Sequence, residues 1–133
     1  MLTITKQSDY GILLTSHIYK KNKLIKLSDL INETKLPKRF LARIAAELVK
    51  NKLLISREGK NGGYLISPNI KIVSLYDYLK IFNNDISICS CANDSYHCQY
   101  ENLCTHKSIL KNELNKIIIT QLKKIKLIRL LSN

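Results

Sequence analysis

Residues 37–66 read PKRFLARIAAELVKNKLLISREGKNGGYLI, and this stretch decides the fold class. Its first half repeats apolar residues at the i, i+3, i+4, i+7, i+8 spacing of a helix that buries one stripe. The members of that stripe are Leu41, Ile44, Ala45, Leu48 and Val49. Its second half contains a short apolar run at residues 53–56 and the start of another at residues 64–67, and the two runs flank a glycine-rich turn. The stretch therefore predicts a helix followed directly by a β-hairpin.

Two more helices are expected before this stretch. Apolar spacing predicts a first helix over about residues 8–20, with Ser8 as its N-cap. A second, short helix is expected to begin at the N-cap Ser28 and to end near Thr34, and Pro37 suits the first position of the third. Three helices followed by a hairpin form the plan of a winged helix-turn-helix domain, whose recognition helix enters the DNA major groove. The expected fold class is thus mainly α, with a two-stranded wing.

The chain after the wing is predicted to hold two further helices separated by a loop. Ser74, followed three residues later by Asp77, resembles a capping box and predicts a helix over about residues 75–83. Residues 84–104 are polar, contain all four cysteines and show no sustained period. From Thr105 toward residue 130, apolar residues keep helical spacing in a stripe wider than one small neighbour would cover.

The formal charge of +12 is divided unevenly along the 133 residues. Residues 1–75 carry a net +9 and residues 107–133 a net +6, whereas residues 76–106 carry a net −3. An excess of this size favours a polyanionic partner, either nucleic acid or an anionic membrane surface. All four cysteines lie in the acidic segment, so the parts suited to a polyanion and to a metal are separate in sequence.

The sequence also indicates where the protein works. It contains no run of about 20 consecutive apolar residues, and the start MLTITKQSDYG lacks the features of a signal peptide. We therefore expect a cytoplasmic protein without a membrane span. In that reducing compartment the cysteines are expected to be thiolate ligands or redox groups rather than structural disulfides.

The polar face of the third helix and the wing carry the candidate DNA contacts. Arg39 and Arg43 are four residues apart, share one helix face, and suit guanine O6 and N7 or a phosphate. In the wing, Arg57 and Lys60 suit backbone or minor-groove contact. The residues expected to contact DNA are Ser28, Lys38, Arg39, Ala42, Arg43, Arg57, Lys60, Asn61 and Gly62. The alternative interpretation is a solvated basic face beside an ordinary hairpin.

The cysteine-rich segment predicts a metal centre. The segment has the spacing C-x-C-x6-C-x5-C-x-H, formed by Cys89, Cys91, Cys98, Cys104 and His106. Thiolates are soft ligands that suit iron–sulfur clusters, zinc or copper(I). Structural zinc sites usually show paired C-x2–4-C knuckles, so this looser spacing favours a cluster. Zinc and unligated thiols remain the alternatives.

The motifs together resemble the Rrf family of winged-helix regulators, the group that contains IscR and NsrR. The resemblance covers nearly the whole chain and rests on four features of the sequence. They are Thr5-Lys6-x-x-Asp9-Tyr10-Gly11, the wing Gly59-x-x-Gly62-Gly63-Tyr64, Leu75-Tyr76-Asp77, and three cysteines before a long helix. One departure lies in the wing, where the family usually has Arg directly before the first glycine and this chain has Glu58.

The resemblance implies a homodimer in which the long C-terminal helix packs across the partner. It also implies a [2Fe–2S] or [4Fe–4S] cluster on Cys91, Cys98 and Cys104, with a fourth ligand that varies within the family. The candidates, in order, are Asp9 of the other subunit, His106 and the additional Cys89. The expected division is a DNA-binding domain at 1–83, a cluster-binding loop at 84–104 and a dimerisation helix at 105–133.

These features lead to one function and two alternatives. We expect a DNA-binding transcription regulator, most simply a repressor, that senses iron–sulfur, redox or nitric oxide status through a bound cluster. The first alternative is a zinc- or thiol-redox-controlled regulator, and the second is an iron–sulfur carrier or assembly factor. An enzyme is not expected, because no nucleophile–base pair or carboxylate pair stands out. The expected partners are a double-stranded DNA operator and a second copy of the chain.

Overall fold

The computed structural model describes residues 2–131. Met1 of the predicted segment 1–83, and Ser132 and Asn133 of the predicted segment 105–133, lie outside the described residues. The helices are α1 (Lys6–Lys21), α2 (Leu27–Thr34), α3 (Lys38–Lys50), α4 (Leu75–Phe82), α5 (Asn115–Lys124) and α6 (Ile128–Leu131). Strands β1 (Leu54–Arg57) and β2 (Gly63–Ile66) form one antiparallel hairpin with Leu54 opposite Ile66. Short 3₁₀ turns cover Pro68–Lys71 and Ser90–Ala92, and a π-helical segment covers Ile109–Leu114. The mainly helical fold class with a two-stranded wing is confirmed.

One apolar core joins α1 to the rest of the chain. Leu14 and Ile18 of α1 are fully buried, as are Leu41 and Leu48 of α3. Tyr78 of α4 is also fully buried, and its hydroxyl donates a hydrogen bond to the Ser8 carbonyl at 2.7 Å. Burial raises the pKa of Tyr78, and the nearby charge of Asp9 raises it further, so the hydroxyl remains a donor.

The first three helices begin at other residues than the sequence predicts. Thr5, not Ser8, is the N-cap of α1, and its hydroxyl accepts a hydrogen bond from the Ser8 amide at 3.2 Å. Helix α2 begins at Leu27 after the N-cap Lys26, so Ser28 lies inside the first turn. Pro37 is the N-cap of α3 rather than its first residue. In α1 the hydroxyls of Thr5 and Ser8 both satisfy the N-cap pattern, which explains that shift, whereas α2 begins without a capping side chain.

The predicted cap of α4 is confirmed. The Asp77 amide donates to the Ser74 hydroxyl at 3.1 Å, and the Ser74 amide donates back to the Asp77 carboxylate at 3.5 Å. This reciprocal pair is a capping box with Asp in place of the usual Glu.

The wing is fixed to the start of α2 by a third extended segment. Ile25 donates to the Tyr64 carbonyl at 2.9 Å and accepts from the Tyr64 amide at 2.8 Å. The backbone at Gly63 approaches Ile25 so closely that an added Cβ would overlap the Ile25 carbonyl oxygen. Glycine at this position therefore holds the wing against the helix-turn-helix motif.

The predicted single helix from Thr105 toward residue 130 is wrong, because it ends at Lys124. Ile125 is extended, with ψ 121°, and its carbonyl accepts a hydrogen bond from the Leu75 amide at 2.7 Å. The Leu127 amide then donates to the Val73 carbonyl at 2.9 Å. The break turns Leu127 and Leu131 into the core, where both are fully buried, and this burial outweighs the lost helical hydrogen bonds.

The segment after the break is expected to stabilise the whole domain. Leu127→Ala should lower the free energy of unfolding by about 2–5 kcal/mol, because it leaves a cavity beneath α1. Leu130→Ala is the matched control, since Leu130 is 42% exposed and should cost about 1 kcal/mol or less. Urea titration followed by circular dichroism measures both. Equal losses would contradict the docking of this segment.

Candidate DNA interface and cysteine pocket

Helix α3 separates an apolar and a basic face. Leu41, Ile44, Ala45 and Leu48 are buried on one side. Lys38, Arg39 and Arg43 are exposed on the other, with Ala42 partly exposed between them. The predicted major-groove residues therefore share one accessible surface, and the small Ala42 leaves room for a close approach to a base edge.

A groove of about 510 Å³ lies between the start of α2 and the wing. Its basic lining comes from Lys26, Arg57 and Lys60. No side chain caps α2, so its first amides have no partner from a capping residue, and such amides attract a phosphate. Glu58 is the one carboxylate among the lining residues. Ser28 and Gly62, both predicted to contact DNA, also line the groove.

Lys26 lines this groove, and the sequence analysis did not name it as a candidate DNA contact. It was overlooked because the start of α2 was predicted two residues too late, at Ser28. The sequence feature that could have identified it is a lysine directly before Leu27, the first residue of α2. A lysine side chain at that position can reach along the first turn of the helix. Asn61 is exposed in the wing turn but does not line the groove.

The cysteine pocket is formed by Cys91, Cys98, Cys104 and His106 and has a volume of about 350 Å³. Tyr100, Glu101, Leu103 and Lys107 complete its wall. The Cys104 sulfur lies 3.6 Å from Nδ1 and 3.8 Å from Nε2 of His106. The structure thus brings together the three cysteines and His106 that were named as candidate ligands, although they come from a stretch with little regular structure.

Cys89 lies next to this pocket without lining it. Its sulfur is 3.3 Å from the Cys91 sulfur, across the 3₁₀ turn Ser90–Ala92. The contact with Cys89 raises the pKa of the Cys91 thiol above its usual range, and partial burial adds to the shift.

The donor set has the chemistry of an iron–sulfur ligand set. Within residues 2–131, no group of three His, Cys, Asp or Glu side chains is arranged to hold a single metal ion. Three thiols and one imidazole line the same pocket. These are ligand types of iron–sulfur clusters, in which separate iron atoms take separate protein ligands.

One face of the C-terminal helical region holds the cysteine loop, residues 84–104. Lys107 pairs with Glu101, and Lys111 pairs with Asp94. Four residues further, the Asn115 side chain accepts a hydrogen bond from the Ile88 amide at 2.9 Å. The paired lysines lower the pKa of both carboxyl groups. The sequence analysis missed these contacts. They could have been predicted from two lysines that are four residues apart on a helix next to an acidic loop.

The cysteine loop is also tied to the segment that precedes α1. The Leu2 amide donates to the Ser87 carbonyl at 2.6 Å, and the Asn83 side chain donates to the Thr3 carbonyl at 2.8 Å. Asp9, the first candidate for the fourth ligand, is exposed in the first turn of α1 and does not line the cysteine pocket of its own chain.

An apolar surface remains exposed on the C-terminal helical region. Ile109, Leu114 and Ile117 are exposed to 52%, 41% and 57%. Within residues 2–131, no helix is long and apolar enough to cross a bilayer. The exposed side chains lie in the region for which a wide apolar stripe was predicted.

Comparison with known proteins agrees with this architecture. The model of the Rrf2 family, described as an iron-dependent transcriptional regulator, matches residues 4–133. The HTH-type transcriptional regulator NsrR of Bacillus licheniformis is 21% identical over 117 residues, which cover 86% of this chain and 82% of that protein.

Two solved structures share the fold. The structure of CymR (YrzC), the global cysteine regulator of B. subtilis, superposes with a TM-score of 0.74 at 20% identity and covers 99% of this chain and 98% of that one. T. potens IscR superposes with a TM-score of 0.65 at 19% identity and covers 98% and 86%. Since the family model spans nearly the whole sequence, this chain belongs to the Rrf2 family of DNA-binding transcriptional regulators.

Proposed function

We propose that this regulator senses iron–sulfur, redox or nitric oxide status through a cluster held by Cys91, Cys98 and Cys104. The observation that carries the proposal is the single pocket lined by these three thiols and His106. The description of the family as iron-dependent supports the same conclusion. The neighbouring Cys89 is not part of this proposed ligand set.

His106 is the fourth ligand that the pocket favours. Its imidazole lines the pocket beside Cys104, whereas Asp9 lies on α1 and would have to arrive from a second subunit. Cys89 lies outside the pocket wall. The sequence resemblance ranks Asp9 first, so the two residues are separated by the experiment below.

A bound cluster would supply a centre that oxidants and nitric oxide can modify or remove. The chain passes a change at the cysteines to the DNA-binding domain through two connections. Lys107, Lys111 and Asn115 hold the cysteine loop to the helical region that ends in α5. Ile125 and Leu127 then bind residues 73–75 by backbone hydrogen bonds.

The DNA contacts are proposed to come from α3 and from the groove beside the wing. Arg39 and Arg43 of α3 would reach base edges, and Lys26, Arg57 and Lys60 would reach phosphates. The regulator is proposed to act as a homodimer, because the C-terminal helical region exposes the apolar side chains Ile109, Leu114 and Ile117. Two recognition helices then bind half-sites about one helical turn apart.

A thiol-controlled regulator is the second candidate, and the contact between Cys89 and Cys91 favours it. In that case the same pocket would hold no cluster, and the thiols themselves would respond to oxidants. Anaerobic purification separates the candidates. A brown protein with acid-labile sulfide supports the cluster, a colourless protein with zinc supports a zinc site, and a metal-free protein supports thiol control.

Variants of the pocket test the ligand set. Cys91→Ser should abolish the visible absorption of anaerobically purified protein, because it removes a thiolate ligand. His106→Ala should shift the absorption and electron paramagnetic resonance spectra, while Asp9→Ala should leave them unchanged. The opposite pattern would assign the fourth ligand to Asp9 of the second subunit. A Cys91→Ser protein with the full spectrum would refute the proposed ligand set.

Substitutions in α3 and the wing are expected to affect DNA binding differently. With a duplex selected from a random pool by this protein, Arg43→Ala should cost about 1–3 kcal/mol and relax base preference. Lys60→Ala should weaken binding to all duplexes and reduce the slope of log K against log salt by about 1. Fluorescence anisotropy at several salt concentrations measures both. Identical effects of the two variants would contradict the division between base and phosphate contacts.

The exposed apolar surface provides a test of the dimer. Ile117→Glu should convert the dimer to a monomer, because it places a charge in the centre of the proposed interface. Ile72→Glu is the matched control, since Ile72 is 70% exposed and lies outside the C-terminal helical region. Sedimentation equilibrium measures the masses. A wild-type monomer, or an Ile117→Glu dimer, would refute the proposed interface.

A further inference from the structure

We propose that Cys89 and Cys91 form a reversible disulfide when the cysteine pocket is empty and a hydroperoxide is present. Cys89 is then the resolving thiol of the cysteine loop, not a ligand. The inference rests on the proposed function only for the role of Cys91 as a ligand. The reaction between the two thiols depends on their contact alone.

The two sulfur atoms are already in contact at 3.3 Å. The backbone between them forms a 3₁₀ turn, in which the Ala92 amide donates to the Cys89 carbonyl at 3.1 Å. The residue before the pair is held by the hydrogen bond from the Ile88 amide to Asn115. The pair therefore forms a disulfide with little rearrangement of the chain.

The other two cysteines have different neighbours. The Cys98 sulfur accepts a hydrogen bond from the Tyr100 amide at 3.4 Å, and Cys104 contacts His106. Cys91 lines the pocket with them, whereas Cys89 contacts Cys91 from outside the pocket wall. Oxidation of Cys91 is thus expected to be captured by Cys89 before Cys98 or Cys104 can reach it.

The reaction has two steps. After the Cys91 thiol loses its proton to solvent, the thiolate attacks the terminal oxygen of the hydroperoxide. An S–O bond forms, the O–O bond breaks, and hydroxide or alkoxide leaves and takes up a proton as water or alcohol. The Cys89 thiolate then attacks the Cys91 sulfenic acid, so that an S–S bond forms and water leaves. The two thiols lose two electrons and two protons, and the hydroperoxide gains them.

The disulfide changes what the empty pocket can do. While it persists, Cys91 cannot bind iron, so the regulator stays in its cluster-free state until a thiol reductant acts. The disulfide also protects Cys91 from further oxidation to sulfinic acid, which thiol reductants do not reverse. Cys89 therefore makes the response to peroxide both persistent and reversible.

Mass spectrometry of the full-length, cluster-free protein tests the disulfide. After hydrogen peroxide treatment and alkylation, the peptide with Cys89 and Cys91 should be two hydrogens lighter and unalkylated, while Cys98 and Cys104 are alkylated. Cys98→Ser is the matched control and should give the same disulfide. In Cys89→Ser, Cys91 should appear as sulfinic or sulfonic acid. A disulfide from Cys91 to Cys98 or Cys104, or free alkylated Cys89 and Cys91, would overturn the proposal.

Cluster reconstitution with iron and sulfide tests the consequence. Untreated wild type and Cys89→Ser should both regain the visible absorption. Peroxide-treated wild type should regain it only after dithiothreitol, and peroxide-treated Cys89→Ser should not regain it at all. If neither protein ever takes up a cluster, the proposed function fails while the mapped disulfide still stands. If both take it up but no disulfide forms, the inference alone fails.

Discussion

The packing of α1 against the rest of the chain is the constraint on which the other parts depend. Leu14 and Ile18 contribute to the same core as Leu41 and Leu48 of the recognition helix. Leu127 and Leu131 reach that core from the far end of the sequence. Because one core holds both, α3 and the segment that follows the helix break at Ile125 cannot move independently without exposing apolar surface. Under the proposed function, a change at the cysteine loop would reach α3 through this core.

The sequence predicts most of the fold because its helices are strongly amphipathic and its wing is marked by glycines. It fails where a distant contact decides the local structure. The helix break at Ile125 has no glycine or proline signal, and it depends on hydrogen bonds with Val73 and Leu75, about fifty residues away in sequence. The predicted N-cap of α1 is wrong because Thr5 and Ser8 both carry a hydroxyl, and that of α2 is wrong because the helix begins after Lys26 without a capping side chain. Tertiary contacts, not propensity, settle such positions.

The candidate site shows the same division. The thiol-bearing residues of the pocket could be named from their spacing, because few other roles suit four cysteines in an acidic loop. The residues that these cysteines and their loop contact could not be predicted in this way. The pairing of Lys107 and Lys111 with the loop depends on how the chain folds back, and the contact between Cys89 and Cys91 depends on a 3₁₀ turn that no periodicity signals. The fourth ligand is open for a related reason, because one candidate lies on α1 and would come from another subunit.

The hydrogen bonds between Ile25 and Tyr64 have a consequence for operator choice. They join the wing to the start of α2, so the distance between the wing and the recognition helix is set by the protein. In a duplex that contacts both the wing and α3, the distance between the major groove and the adjacent backbone must match the distance between these two elements of the protein. The energy needed to adjust groove width and bend depends on base sequence, even at positions that no side chain touches. If the wing and α3 both contact DNA as proposed, the protein would select operators by their deformability as well as by their bases.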